Sequence, residues 1–464
     1  MAFDPEIAAI RFGTGLSPRF VPPHSLDAVF AELTGPDVLA KQFPIASFES
    51  QRAMILDLKR LSKLKKKNRG TELEKEAQAQ FSKRRKSMAR ANTHWFNASL
   101  ARYIASPHGF RERLVRFWAD HFTVVGNDRY YRHLVTPFVE DAIRPNINGR
   151  FSDLLIASSL HPLMLHYLDQ NQSIGPNSYV SRKRKNVGLN ENLAREILEL
   201  HTLGVGGGYS QKDVRQFAEL LAGTGFTFAD GMKFAPQRAE PGTEEILGKT
   251  YSGPRASLKS IHHALEDFAR RPETASHLAQ KMAVHFVSDT PDPALVGDIR
   301  DAYLASDGEL LACYQAMLSH PAAWGKKFTK AMQPFDFVAT SLRALDVDVK
   351  VITRLNNRLT NLSFQSPLSL MGQPWERPNG PDGWPENAEQ WFTPQGLAAR
   401  IQWAMMVPQA FAGSLANSEI TPLQVAQNAL GDRLTPTVQF VANSAETKWE
   451  GIGLVLASPD FQRR

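Results

Sequence analysis

The hydrophobic positions of the chain recur mostly at the spacing of α-helices. Apolar residues line one helical face in 110–124 and again in 192–203. Ser210 and Asp213 resemble a capping box that opens another helix. Similar stretches lie near 257–270, 273–287, 294–318, 323–344 and 396–412. The pattern predicts a mostly α, multi-helix globular bundle.

Two regions interrupt this pattern. In 226–253, polar and apolar residues alternate around Asp230-Gly231, which predicts one short β-hairpin with a type I′ turn, followed by a loop. The segment 366–394 holds six prolines and three glycines, together with three of the eight tryptophans, which predicts irregular structure. Its aromatic rings either pack this loop onto the helical body or stack on a sugar or a partner.

Composition limits the class of protein. The 464 residues, 42% of them hydrophobic, are enough for a large core, so we treat 1–464 as one helical unit in which 257–345 could form a sub-lobe. The single cysteine excludes an intrachain disulfide framework and any CxxC metal site. No apolar run is long enough to form a transmembrane segment, and the first residues do not read as a signal peptide, so the sequence predicts a cytoplasmic protein.

Positive charge is concentrated in 59–90. This segment has 13 Lys and Arg residues and three acids, whereas the whole chain carries +7, so the remainder is close to neutral. Its helix-forming residues predict a helical hairpin that breaks at Asn68-Arg69-Gly70, exposed and mobile. Such a surface suits a polyanion or an acidic partner, and the alternative is a solvated face without a partner.

Three segments carry candidate catalytic residues. In the first, FWADHF, His121 lies on the apolar face of a helix and Asp120 is placed to pair with Arg116. In the second, His166 and Asp169 lie three residues apart at a helix end, a spacing that suits a ligand pair or a base with its orienting carboxylate. The alternatives are a core histidine bonded to a carbonyl and a helix terminus satisfied by its own side chains.

The third segment, 190–201, is the richest in ionisable side chains. On a regular helix, Glu196 and Glu199 share one stripe, and Arg195 is placed to pair with Glu191 and Glu199. His201 would point away from Glu199, so a metal shared by His201 and both carboxylates is excluded. The alternative is a salt-bridged helix surface.

These segments predict a shared site. The candidate set is His121, His166, Asp169, Glu191, Arg195, Glu196, Glu199 and His201. We expect His121, His166 and the stripe 191–199 to converge, because unpaired buried charges are costly. The predicted function is an enzyme, in its metal-assisted form a hydrolase that uses zinc, manganese or iron. The alternative is a non-catalytic binding or scaffolding protein that acts through the Trp-rich loop or the basic insert.

The sequence also resembles a known family. NENLAREILELHTLGVGGGYSQKDVRQFAELLAGTGF is similar to the signature of the bacterial family called domain of unknown function 1800. The same order of motifs continues with RFGTG, FWADHF, LDQNQSIGPNS, ILGKTYSG, MGQPWERPNGPDGWP and LASPDFQ. The resemblance covers nearly the whole chain and implies a mostly helical fold without implying a reaction. Its members often look exported, unlike this chain as written.

Overall fold

A computed structural model describes residues 3–251, 253 and 257–464, and the chain is mostly α-helical, as predicted. In its first part the helices are α1 (Pro5–Ile7), α2 (Leu26–Thr34), α3 (Val38–Gln42), α4 (Phe48–Lys67), α5 (Glu72–Ala105), α6 (Phe110–His121), α7 (Val135–Phe138), α8 (Phe151–Ser159), α9 (Pro162–Tyr167), α10 (Asn192–Glu196) and α11 (Gln211–Leu221). The predicted capping box is present at α11, where Ser210 Oγ accepts a bond from the N–H of Asp213 and the Asp213 carboxylate accepts one from the N–H of Ser210.

Later in the chain the helices are α12 (Leu258–Ala269), α13 (Pro272–Phe286), α14 (Pro293–Ala305), α15 (Leu310–Ser319), α16 (Pro334–Ala344), α17 (Val349–Arg354), α18 (Asn357–Thr360), α19 (Ser366–Leu370), α20 (Ala388–Trp391), α21 (Pro394–Ala410), α22 (Pro422–Leu430), α23 (Pro436–Ser444) and α24 (Lys448–Ala457). The stretches predicted at 294–318 and 323–344 are shorter than expected. Asp307 and Gly308 take left-handed conformations that split the first, and regular α-helix in the second begins only at Pro334.

Four helices continue into a π-helical turn, and several connections are short 3₁₀ turns. The π turns are Ala8–Phe12, Val139–Ile143, Ile197–His201 and Asn361–Gln365. The 3₁₀ turns are Arg144–Asn146, Gln170–Gln172, Pro321–Trp324, Ala412–Ser414 and Gly431–Arg433. A π turn changes the direction in which the following side chains point, and this matters at His201.

The described residues contain two antiparallel hairpins. The predicted one pairs β1 (Thr224–Thr227) with β2 (Gly231–Phe234), but its loop has three residues, 228–230, rather than the two of a type I′ turn. Where the sequence predicted only a loop, β3 (Glu244–Ile246) pairs with β4 (Lys249–Tyr251). Leu247 and Gly248 connect these strands with positive φ at both positions, which is the geometry of a type I′ turn.

The Pro- and Gly-rich segment is irregular in 371–387, but its two ends are helical, contrary to the prediction. Pro367 is compatible with helix α19 because it lies in the first turn of the helix, directly after a π turn. At that position the missing N–H of proline costs no regular α-helical hydrogen bond. At the other end, α20 brings Trp391 into the protein interior, with 2% of its surface exposed. We call residues 371–387 the Trp loop.

Two hydrophobic cores organise the molecule. The first draws on residues from Ile7 to Trp324, and it includes α12–α15. The second is built from residues 332–461 together with Phe96, Leu100 and Tyr103 of α5. The stretch 257–345 therefore contributes to both cores, and the first part of the chain contributes α5 and Phe43 to the second core.

The basic segment 59–90 lies in the hairpin of α4 and α5, which turns at 68–71 with Gly70 at φ 78°. Leu61 and Phe81 are buried between the two helices, while most of the Lys and Arg side chains face solvent. None of the helices in the described part of the chain combines the length and apolarity required to cross a membrane.

Candidate functional site

The structure brings together two of the predicted histidines. His121 ends α6, and its Nε2 lies 3.2 Å from the carbonyl oxygen of His201, to which it donates. Both rings are almost fully buried. Burial lowers the pKa of His201 to about 3 and that of His121 well below its usual range, so both are neutral at pH 7. This is the core histidine bonded to a carbonyl that the sequence left as an alternative.

The π turn explains why His201 meets His121. On a regular helix His201 would point away from the carboxylate stripe, but residues 197–201 form a π turn that changes the angle between successive side chains. His201 consequently packs against Phe122, with ring centroids 4.9 Å apart.

His166 and Asp169 lie elsewhere, so the predicted convergence does not include them. His166 stacks on Tyr131, with ring centroids 3.5 Å apart, near the first hairpin. Asp169 takes a left-handed conformation and accepts a hydrogen bond from Gln172 at 2.9 Å. This resembles the helix terminus satisfied by its own side chains that the sequence left open.

Within 191–199, Glu191 and Arg195 belong to a surface network, whereas Glu196 stands apart from it. Arg195 contacts Glu191 at 3.3 Å and Gln211 at 2.9 Å in a partly exposed network, and no Arg195–Glu199 ion pair is present among the described residues. Glu196 is half-buried, and burial and the nearby Glu199 raise its pKa.

A cavity between the two cores is the strongest candidate site. Its volume is about 130 Å³, and it is lined by α5, α6, α7, α16 and the Trp loop. Aromatic walls come from Tyr103, Phe335 and Trp375. Pockets between structural units, with apolar walls and a few polar groups, are typical of ligand sites.

Asp120 lies in the wall of this cavity. It does not pair with Arg116 as predicted; instead, its Oδ1 accepts the backbone N–H of Trp384 at 2.9 Å. Gly383, at φ 85°, passes so close that a Cβ there would lie 2.7 Å from the same oxygen. Burial raises the pKa of Asp120 to about 7, against the opposing effect of Lys281.

Glu376 is a second carboxyl in the same cavity. It has φ 56°, a strained conformation for a residue other than glycine, and it accepts a hydrogen bond from the Thr136 hydroxyl. Burial raises its pKa to about 7, while Arg116 acts in the opposite direction. Arg116 also lowers the pKa of Asp120, so one cation influences both carboxyls.

A chain of ion pairs forms the floor of the cavity. Asp336 contacts Arg113 at 2.7 Å and Tyr103 Oη at 2.9 Å, and it also pairs with Arg116 and Arg464. Because only one carboxylate balances several guanidinium groups, Asp336 is the centre of this network.

The network continues through His285. Arg113 donates to His285 Nε2 at 3.2 Å, so Nδ1 carries the proton that is shared with Glu386 at 2.6 Å. Although burial alone would raise it, His285 and Lys330 hold the pKa of Glu386 well below its usual range. Glu386 therefore remains ionised, which distinguishes it from Asp120 and Glu376.

Helix α13 carries a polar stripe, and its last member, His285, lines the cavity. His277, Lys281 and His285 lie at successive intervals of four residues, and His277 Nε2 contacts the Leu200 carbonyl at 3.0 Å. Lys281 makes no ion pair within 4.0 Å among the described residues; burial lowers its pKa, whereas Asp120 raises it.

Comparison with known proteins gives a family match. A family described as "Protein of unknown function (DUF1800)" matches residues 8–463. The chain belongs to this family. No curated protein and no solved structure is significantly similar to it.

Two segments that carry the DUF1800 resemblance form walls of the cavity. FWADHF supplies Asp120, and MGQPWERPNGPDGWP supplies Glu376 and Trp384. Sequence reasoning missed these carboxyls as a pair because it treated Asp120 as a partner of Arg116 and the Trp loop mainly as a packing element. The stripe of His277, Lys281 and His285 was a detectable signal, since its spacing places three basic side chains on one helix face.

The described part of this DUF1800 chain has no group of three His, Cys, Asp or Glu side chains arranged to hold a metal ion.

Proposed function

We propose that the protein is an enzyme, a hydrolase that uses Asp120 and Glu376 as its acid–base pair. The observation that carries the proposal is that both carboxyls line one cavity and both have a pKa of about 7. Perturbed carboxyls in a cavity are typical of catalytic acids and bases.

The two pKa values suit the division of roles. Near pH 7, a large fraction of the molecules has one carboxyl protonated and the other ionised. The protonated group can donate to a leaving group while the ionised one activates water. Each carboxyl has one oxygen fixed by a donor, the Trp384 N–H or the Thr136 hydroxyl, which leaves its second oxygen for the substrate.

The cavity walls indicate how a substrate would be held. Trp375 packs edge-on against Phe96, with centroids 4.9 Å apart, and lies 5.2 Å from Phe335, so its position is fixed by the second core. Arg116 lies 4.0 Å from the centre of the Phe335 ring. These rings provide a rigid apolar surface beside the two carboxyls.

The test uses isosteric variants. Purified protein is screened against chromogenic esters, phosphate esters and glycosides, and then Asp120→Asn and Glu376→Gln are assayed on the substrate that is turned over. We expect each variant to lose at least about 100-fold in kcat with a similar melting temperature. The wild-type rate should peak near pH 7.

Glu389→Gln is the matched control, because Glu389 is exposed on α20 beside the Trp loop. It should retain the wild-type rate. If both cavity variants also retain it, the acid–base proposal is wrong.

A second candidate function is binding of a polyanion at the basic insert. A surface groove is lined by Lys59, Lys63, Lys66 and Arg129. The three lysines lie on one face of α4, a spacing that suits successive phosphates. The buried Tyr130 ring lies beneath Lys59, at 5.3 Å, so base stacking has no free ring there.

This candidate is tested with a single-stranded oligonucleotide and fluorescence anisotropy. Affinity should fall by orders of magnitude between about 50 and 200 mM salt, and it should fall in Lys59→Gln/Lys63→Gln. Lys83→Gln/Lys86→Gln on α5 removes the same charge away from the groove and is the control. Equal affinities in the two double variants would remove this candidate.

A further inference from the structure

A surface groove opens from the cavity at Glu376. The groove has a volume of about 550 Å³ and shares Trp375 and Glu376 with the cavity. Most of the other side chains that line it are polar, among them Asn92, Arg132, His133 and Arg377, and the remainder include the apolar Val125 and Leu370. A ligand that reaches Glu376 from solvent can therefore lie along this groove.

The outer part of the groove carries positive charge without a matching carboxylate. Arg132 and Arg377 are exposed, and neither lies within 4.0 Å of a carboxylate in the part of the chain that the structure describes. Glu376, the acid at the inner end, is bonded to Thr136. Guanidinium groups that face a groove in this way are suited to bind a carboxylate or a phosphate.

The neutral state of His133 also indicates positive electrostatic potential in the groove. Arg132 Nε donates to His133 Nε2 at 3.0 Å, so this nitrogen is an acceptor and the ring is neutral. Burial, followed by Arg132, Arg377 and Arg85, lowers the pKa of His133 to about 4. A histidine beside three arginines is a sign of uncompensated positive potential.

Two buried polar atoms beside the groove have no partner. Asn92 Oδ1 can accept a hydrogen bond and Trp375 Nε1 can donate one, yet neither makes a bond within the described structure. Buried polar atoms are paired in most proteins, so these two atoms are available as a hydrogen-bond acceptor and a donor in the groove wall.

We propose that the substrate of the hydrolase carries an anionic group, a carboxylate or a phosphate, which Arg132 and Arg377 bind while the reacting bond lies between Asp120 and Glu376. This inference rests on the proposed function for the reaction, but the anion site itself can be measured without turnover.

The experiment measures, by titration calorimetry at low ionic strength, the binding of inorganic phosphate, glucuronate and glucose to the full chain. We expect the two anions to bind and the neutral sugar not to bind. The tighter of the two anions identifies the group that the substrate carries. Arg132→Gln/Arg377→Gln should weaken anion binding at least about tenfold.

Two controls make the result decisive. Arg354→Gln removes an exposed guanidinium on α17 that lines neither groove, so it should leave the affinity unchanged. Glu376→Gln should keep anion binding even if it loses turnover, so failure of the acid–base proposal is seen separately. Equal affinity for phosphate and glucose, or an unchanged affinity in the double variant, overturns the anion site.

Discussion

Glu244 should make the protein less stable as the pH rises. This side chain in β3 is 2% exposed, and its Oε2 has no hydrogen-bond partner among the described residues. Burial, reinforced by Glu219 and Glu240, raises its pKa from 4.5 to about 7. Its own backbone N–H acts in the opposite direction, and no cation among the described residues does, so the folded state favours the protonated acid.

The sign and size follow from proton linkage. The folded protein holds this proton more tightly than the unfolded chain, so the cost is absent below about pH 4.5, grows as the pH rises and is complete above about pH 7. At about 1.4 kcal/mol for each tenfold change in proton affinity, a pKa raised from 4.5 to about 7 corresponds to roughly 3 kcal/mol. Glu244→Gln keeps the shape and removes the charge.

The assay is urea unfolding of both proteins between about pH 4.5 and 8.5, monitored by tryptophan fluorescence. Glu244→Gln should match the wild type at the acid end and be more stable by roughly 2 to 3 kcal/mol at the alkaline end. Glu245→Gln is the control, because Glu245 is exposed and pairs with Lys212 on the surface. If the advantage of Glu244→Gln is the same at pH 5 and pH 8, the reasoning is refuted.

Two further predictions concern the cavity. Asp336→Asn should lower the free energy of unfolding, measured in urea, by about 3–5 kcal/mol, because it leaves several buried guanidinium groups without their carboxylate. The control is Asp301→Asn at an exposed position, which should change the free energy of unfolding by under about 0.5 kcal/mol. Equal effects of the two substitutions would contradict the importance of the network. Gly383→Ala should destabilise the Trp loop more than Gly372→Ala does, as measured by amide hydrogen exchange in the loop. Both glycines have positive φ, but only a Cβ at position 383 would lie against Asp120. Equal protection in the two variants would show that this close approach is unimportant.

Features that depend on neighbouring residues were predictable from the sequence. The capping box at Ser210 and the hairpin around Asp230-Gly231 depend on side chains within a few positions, and both are present, although the hairpin loop is one residue longer than expected. The π turn at 197–201 was not predictable, because a helix-period pattern assumes a constant angle per residue.

The candidate site depends on contacts that no local pattern contains. The bond from Trp384 to Asp120 spans 264 positions of sequence, and the bond from Thr136 to Glu376 spans 240. Sequence spacing could place Asp120 on a helix face, but it could not show that a Pro-rich loop from the other core closes over it. His166 shows the opposite error. Its polar neighbours in the sequence indicated a site residue, but in the structure its ring stacks on Tyr131.

The role of α5 in the second core has a consequence for how the chain can be divided. Phe96, Leu100 and Tyr103 are fully or almost fully buried against residues that follow position 331. A fragment that starts after the first core would therefore lack one wall of its interior, even though it contains most of the second core's residues. The second core requires contacts between distant parts of the chain, such as Tyr103 with Asp336, and contacts of long sequence separation slow folding. Cutting the chain between the cores should accordingly yield a C-terminal piece that regains its structure only when the N-terminal piece, which carries α5, is added.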